Sequence, residues 1–485
     1  MLNVINRKVV TQMMGLLLLI EAAFMLLSTV VSVVYKDSAT SSLLISSAIT
    51  IATGIMLMLF GHNASKDFGK REGFIVVTLT WIVCSLFGML PFYIGGAIPN
   101  VADAFFETMS GFTTTGSSIL NDIESMPKSL LFWRSIIQWI GGMGIIVLTL
   151  AILPTLGFGG TSLFSAEVPG PTPDRLQPKI TSTAKHLWGI YLGLTLLQTI
   201  LLRLGGMGWF DSLCHSFTTM ATGGYSTKQD SIGYWDSPYI HYVVIVFMFI
   251  AGMNFTMSYF ITRFNFKKVW KDEEFRWYTF ITVGFVLLIS VGIYFTQNLG
   301  VEESFRVGAF QVVSLITTTG FATADYLLWV PFLGSLLVLL FFVGGSAGST
   351  GGGIKVVRLL IMIKDGLYEL KRILHPRAMI PTCSNGRALS SDMVNNVLIF
   401  VLLYIFIVIV SIPIMSATGL DFESSFGAII TSIGNVGPGF GSVGPAYSFA
   451  HISDLGKWYL SFLMLLGRLE LFTVLIVLSP SFWRR

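Results

Sequence analysis

Long apolar runs separated by short polar breaks dominate the chain. A helix rising about 1.5 Å per residue needs roughly 20 apolar residues to cross about 30 Å of hydrocarbon. Ten runs meet that length, at roughly residues 12–35, 42–61, 73–95, 132–154, 186–204, 239–262, 277–297, 332–362, 394–417 and 457–480. The pattern predicts an all-α polytopic membrane protein. The first run follows Arg7 and Lys8, has no small-residue cleavage site and is too long for a signal h-region, so it is expected to stay as an anchor.

Between these runs a shorter segment recurs four times: DAFFETMSGFTTTGSS, DSLCHSFTTMATGGYS, EESFRVGAFQVVSLITTTGFA and DFESSFGAIITSIGNVGPG. Acidic residues open each one (Asp103; Asp211; Glu302 and Glu303; Asp421 and Glu423), and each leads to a glycine, read as Gly116, Gly223, Gly320 and Gly437, about 100 to 117 residues apart. Every copy lies between two long runs. This predicts a helix, loop, helix unit repeated four times, over residues 71–160, 180–265, 275–365 and 390–485, with two extra N-terminal transmembrane helices in 1–70.

The recurring segment is semi-apolar and only about 12 to 16 residues long, enough for three helical turns but not for a crossing. It is therefore expected to enter from the outer side and turn back. Its acidic start suits the positive end of the helix dipole, which directs the negative C-terminal end to the membrane centre. There the quartets Thr-Thr-Thr-Gly, Ala-Thr-Gly-Gly, Thr-Thr-Thr-Gly and Asn-Val-Gly-Pro carry no charged side chain. Non-helical backbone at that depth must be buried in protein or line a wet cavity. Four such loops around a pseudo-fourfold axis would offer carbonyl rings that replace the hydration shell of a monovalent cation, whereas a divalent site would show a carboxylate ring. Small-residue helix packing explains any one segment alone; four in register after an acidic start weigh against it.

Composition narrows the class further. Apolar residues make up 53% of the 485, charged residues 12%, and mean hydropathy is +0.75. These values exclude a soluble enzyme, a secreted disulfide scaffold and a disordered regulator, and a net charge of +4 gives no nucleic-acid-binding face. Cys84, Cys214 and Cys383 have no paired or metal-binding spacing. About twenty of the thirty basic residues fall on one side, led by the loops with Arg263 to Arg276 and Lys364 to Arg387, which places both termini in the cytoplasm. Lys36, Lys128, Arg134, Arg203, Lys228, Arg306 and Lys457 fall outside. Lys355, Arg358 and Arg468 lie within spans or at their inner edge, where function is sought first.

With the four loops, the segments LPTLGFGGTSLFSAEVPGP (153–171), GGSAGSTGGGIKVVR (344–358) and GRLELF (467–472) make the chain similar to TrkH-type subunits of the Trk/Ktr/HKT superfamily of potassium transporters, over nearly its whole length. The resemblance implies four covalently linked potassium-channel motifs plus two N-terminal helices. It implies filter carbonyls on the two residues before each glycine, hence Thr114, Thr115 and Gly116; Ala221, Thr222 and Gly223; Thr318, Thr319 and Gly320; and Asn435, Val436 and Gly437. Glycine in all four positions is the pattern associated with potassium, and Asn435-Val436 predicts an asymmetric ring. The transported, filter-bound ligand is then potassium, with no organic cofactor in this chain.

Residues 344–353 hold six glycines, Gly344, Gly345, Gly348, Gly351, Gly352 and Gly353, so the third repeat's second span is expected to break there. A Walker A reading fails because Ile354 stands between Gly353 and Lys355. The resemblance makes this stretch, with Lys355, an intramembrane gate beneath the filter, and makes Arg468 a cationic barrier in it. An ion pair with Glu470 or a capped carbonyl is the other reading of Arg468. The resemblance further implies a homodimer in the bacterial inner membrane, docked on a ring of TrkA-like cytosolic nucleotide-binding subunits, with no nucleic-acid partner. The basic, proline-bearing loops at 169–179 and 369–377 suit membrane lipid head groups. A sodium- or proton-coupled secondary transporter of another cation or small solute is the alternative, although the histidines His62, His186, His215, His241, His375 and His451 mostly fall near span ends. An intramembrane enzyme lacks a nucleophile with its base, a metal cluster or paired carboxylates.

Overall fold

The structure is a computed structural model that describes residues 5–62, 69–144 and 180–484. Two helices, α1 (Arg7–Tyr35) and α2 (Thr40–Phe60), form an N-terminal hairpin. The link between them is pinned by Asp37, which accepts bonds from Ser129 N at 2.9 Å, Ser129 Oγ at 3.0 Å, Ala39 N at 3.2 Å and Ser32 Oγ. Burial alone would raise this carboxyl; the donors outweigh it and hold it below the ordinary aspartate range.

Four units of one design follow. The first comprises α3 (Lys70–Gly88, continued by Leu90–Ile94), α4 (Val101–Phe112) and α5 (Lys128–Gly142). The second comprises α6 (Ile180–Leu204), α7 (Trp209–Met220), and α8 (Pro238–Ala251) with α9 (Phe255–Thr262). In the third these are α10 (Glu273–Thr296), α11 (Val301–Ile316), and α12 (Pro331–Phe341) with α13 (Val356–Leu374). The fourth has α14 (Ser391–Ser416), α15 (Phe422–Gly434), and α16 (Asp454–Arg468) with α17 (Phe472–Leu478). A two-stranded hairpin, Cys383–Ser384 with Arg387–Ala388, joins the third and fourth units.

The short helices α4, α7, α11 and α15 are the elements expected to turn back, and all four carry acid in their first turn or at the N-cap. They are buried along almost their whole length. The outer helices invert the soluble pattern: Phe280, Leu288, Leu402 and Ile409 face outward and are exposed, as lipid contact requires, while Ser and Thr lie inside.

Among the described residues six helices are long and apolar enough to cross a membrane, and two bent pairs bring the number to eight. The spans expected to be continuous at 239–262 and 457–480 are broken, with bends of 109° between α8 and α9 and 117° between α16 and α17. Asn254 starts α9 by accepting the Thr256 amide at 2.8 Å, and Glu470 and Leu471 both adopt left-handed φ of 53° at the second break. The third unit breaks over residues 342–355, where the glycine run stands. In the first unit α5 ends at Gly142; the 153–171 motif, the 169–179 loop and residues 145–154 of the expected 132–154 span lie outside the described residues.

Candidate functional site: four loops on one axis and a loop beneath them

Each turned-back helix ends the same way. Amides of Thr114, Thr222, Thr318 and Asn435 bond to the carbonyl three residues back, and those of Thr115, Gly223, Thr319 and Val436 to the carbonyl five back. Thr114, Thr222, Thr318 and Asn435 have φ of 52° to 55°, a region that non-glycine residues visit only when the surroundings enforce it. Two residues later the left-handed φ recurs at Gly116, Gly224, Gly320 and Gly437. This backbone equivalence sets Ala221, the αR residue that ends α7, level with Thr113 and Thr317, outside the loop. The second loop is therefore Thr222-Gly223-Gly224, and its end glycine is Gly224 rather than Gly223.

The four end glycines interlock in a ring. A Cβ on Gly116 would collide with the Gly223 carbonyl oxygen, one on Gly224 with that of Thr319, one on Gly320 with that of Val436, and one on Gly437 would come within 3.0 Å of that of Thr115. Each repeat thus touches the next, and the fourth closes on the first. Only glycine fits at these positions, because each needs both positive φ and a bare face. Gly116, Gly224, Gly320 and Gly437 all line one small outer cavity of about 80 Å³.

Buried polar contacts hold the ring from behind. Arg134 pairs with Glu107 at 2.6 Å, and both are buried, although position along the chain counted Arg134 as an outer-surface charge. Arg134 also donates to the Ser226 carbonyl at 2.9 Å and lies over the Tyr225 ring at 3.6 Å, while Tyr225 Oη donates to the Glu107 carbonyl at 2.6 Å. Tyr326 Oη reaches the Gly439 carbonyl at 2.7 Å, and Ser117 Oγ the Gly437 carbonyl at 2.9 Å. Asn435 Nδ2 donates to Thr115 Oγ1 at 2.9 Å and to the Met464 carbonyl at 3.0 Å, so the departure from Thr-Thr in the fourth loop ties that loop to the first and to α16.

Beneath the ring lies the glycine run. The Gly352 amide donates to Thr318 Oγ1 at 2.6 Å, and Thr350 Oγ1 donates to the carbonyls of Met220 at 3.1 Å and Ala251 at 3.3 Å. A Cβ on Gly351 would stand 2.9 Å from the Thr317 carbonyl, and one on Gly352 would meet that of Gly434. Gly344 and Gly345 pack at the base of the loop, where Gly344 N bonds the Ile354 carbonyl and Ser346 N the Gly252 carbonyl, both at 2.8 Å. The break after α8 is thus the seat of this loop: it frees the Ala251 and Gly252 carbonyls, and the Phe255 amide returns a bond to Gly348 O at 3.0 Å. Glu274 staples both ends, accepting Ala347 N at 2.7 Å and Val357 N at 3.2 Å. Neither Glu274 nor the 252–254 break stands out in the sequence.

Arg468 ends α16 below the loops. Its guanidinium donates to the Thr350 carbonyl at 2.8 Å and to the carbonyls of Gly141 at 2.6 Å and Gly142 at 2.9 Å, linking the glycine run to the end of α5. Glu470 pairs instead with Arg358, whose guanidinium lies 3.8 Å from the Phe400 ring centre. Lys355 is buried and donates to the Gly351 carbonyl. Gly351, Gly352, Gly353, Lys355, Arg468 and Glu470 line one inner cavity of about 540 Å³. One cavity thus lies against the ring of end glycines and the other against the glycine run, with the loops between them.

Comparison with known proteins agrees with this anatomy. The family model for TrkH, described as a cation transport protein, matches residues 39–485. The Trk system potassium uptake protein TrkH of Escherichia coli (strain K12) is 40% identical over 488 residues, covering 98% of this chain and 99% of that protein. TrkG of the same organism is 34% identical and covers both chains completely. The crystal structure of the potassium transporter TrkH from Vibrio parahaemolyticus superposes with a TM-score of 0.89 at 39% identity, over 99% of this chain and 100% of that one. The chain belongs to the TrkH family of cation transport proteins, membrane transporters rather than enzymes.

Proposed function

We propose that this chain takes up potassium across the bacterial inner membrane, through a filter made of Thr114-Thr115-Gly116, Thr222-Gly223-Gly224, Thr318-Thr319-Gly320 and Asn435-Val436-Gly437. The observation that carries the reading is the closed ring in which each loop's end glycine lies against a carbonyl of the next repeat. Main-chain oxygens from four directions replace water around a large monovalent ion, and the four helix C-termini add a negative field without binding it irreversibly. The absence of charged side chains from the loops favours passage over tight retention. The potassium uptake proteins at 40% and 34% identity support the choice of ion.

The glycine run 344–353 with Lys355 and Arg468 closes the path from below. Its polar anchors end on backbone carbonyls, on Thr318 Oγ1, on Arg468 and on Glu274, so it can move as a unit once those anchors exchange for water. A guanidinium on the axis raises the barrier to a cation, and its removal lowers it. The family's Trk system naming supports a cytosolic nucleotide-binding partner of the TrkA kind, which would draw on α13 to move the loop; the chain would work as a homodimer. Both termini then lie in the cytoplasm.

Rubidium uptake into proteoliposomes in competition with potassium, sodium and lithium tests the reading. Inhibition by potassium well below the concentration at which sodium inhibits is expected. Equal inhibition by all three, or uptake that requires a sodium or proton gradient, would favour a coupled carrier instead.

A further inference from the structure

The second loop differs from the other three in a way that demands a helper. Where Thr115, Thr319 and Val436 each carry a side chain behind the ring, the second loop has Gly223, followed at once by Gly224. Two consecutive glycines are the least conformationally restricted backbone available, and here they must hold one geometry.

Gln138, on α5, occupies the place of the missing side chain. A Cβ on Gly223 would collide with the Gln138 carboxamide, coming to 2.8 Å from its nitrogen, and the three nearest atoms all belong to Gln138. The side chain is fully buried and both its polar atoms are used: Nε2 donates to the Gly223 carbonyl at 2.6 Å, and Oε1 accepts the Tyr225 amide at 3.1 Å. One turn earlier on the same helix face, Arg134 holds the Ser226 carbonyl, so α5 grips the second loop at three successive points. In the fourth repeat the matching residue, three before Gly467 as Gln138 is three before Gly141, is Met464. By the order of the ring, in which the first repeat's α5 backs the second loop, Met464 backs the first loop, whose Thr115 supplies its own side chain.

We infer that Gln138 is the positioning residue that fixes ion discrimination in the second loop, standing in for the side chain that Gly223 lacks. The inference rests on the filter reading above and deepens it. The amide donor takes one lone pair of the Gly223 oxygen and leaves the other for the ion. It sets where that oxygen sits, so its loss lets the Gly-Gly segment relax toward the smaller sodium ion without closing the path.

The test measures the potassium-to-sodium preference of rubidium uptake in proteoliposomes for the full-length chain, Gln138→Met, Gln138→Ala and the double variant Gln138→Ala/Gly223→Thr. Losing two buried hydrogen bonds at the loop is expected to lower the preference by about fivefold or more in both single variants, with rubidium still transported. Gly223 lies outside the left-handed region, so threonine fits its backbone once the carboxamide is gone, and the double variant should recover most of the wild-type preference. Wild-type preference in Gln138→Met and Gln138→Ala would overturn the inference, and so would failure of Gly223→Thr to restore it. A wild-type protein that prefers neither ion would overturn the filter reading itself, an outcome distinct from either. Elution as a single species by size-exclusion chromatography separates altered preference from misfolding.

Discussion

Arg468 and Glu107 illustrate two opposite uses of a buried charge. Arg468 donates to three carbonyls from two different repeats, so Arg468→Ala removes a barrier and a tether. Flux in the absence of any regulatory partner is expected to rise several-fold, and unchanged flux would count against its place in the gate. Glu107 neutralises Arg134 where neither reaches water. Glu107→Ala strands the guanidinium at a cost of about 3–5 kcal/mol. A large fall in thermal midpoint in detergent is the expected outcome, and a shift of only a degree or two would mean that water enters behind the ring. Of the two, only Arg468 was legible in the sequence, because it interrupts an apolar run near mid-span. Arg134 stood near a span end and passed for a surface charge, since its partner Glu107 lies 27 positions away on a different helix.

At the scale of elements, the turned-back helices were readable from their acidic starts and short length, but the second loop's register was not fixed by the spacing of glycines. Two glycines stand side by side there, and either satisfies the motif. The backbone decides it, with positive φ at Gly224 as at Gly116, and these two glycines each lie 13 residues after Asp211 and Asp103. Gly224→Ala is accordingly expected to abolish most uptake, since it combines positive φ with a clash against the Thr319 carbonyl, whereas Gly223→Ala meets only the flexible Gln138 side chain and should retain more. Uptake assays on the two variants give the opposite ranking if the register is wrong. The breaks in α8–α9 and α16–α17 were hidden because each pair taken together is still apolar enough to read as one span, and the causes are tertiary: freed carbonyls of Ala251 and Gly252 that receive the glycine run, and the Glu470 pair with Arg358. The α1–α2 link carries a pH signature. With its native carboxyl held below the ordinary aspartate range, Asp37 contributes stability that is complete at neutral pH and is lost as pH falls through that lowered value. The thermal midpoints of wild type and Asp37→Asn should therefore differ at pH 7 and converge in acid; a gap that persists in acid would deny the carboxylate that role.

For the whole molecule, duplication explains why so much was legible. One unit repeated four times gives four chances to recognise the same acid, helix and glycine, and the quartet identified the fold class more surely than any single segment. Closure was not legible, because a repeat in sequence does not state that its copies meet; the collisions that only glycine avoids, passing from each loop to the next and back to the first, supply that fact. The claim that these loops form one ion-binding ring is tested most directly by anomalous diffraction from crystals grown in rubidium. The account requires rubidium density on the axis, level with the carbonyls of Thr115, Gly223, Thr319 and Val436, and its displacement by potassium. Rubidium bound only elsewhere, or an axis without density at saturating rubidium, would contradict it.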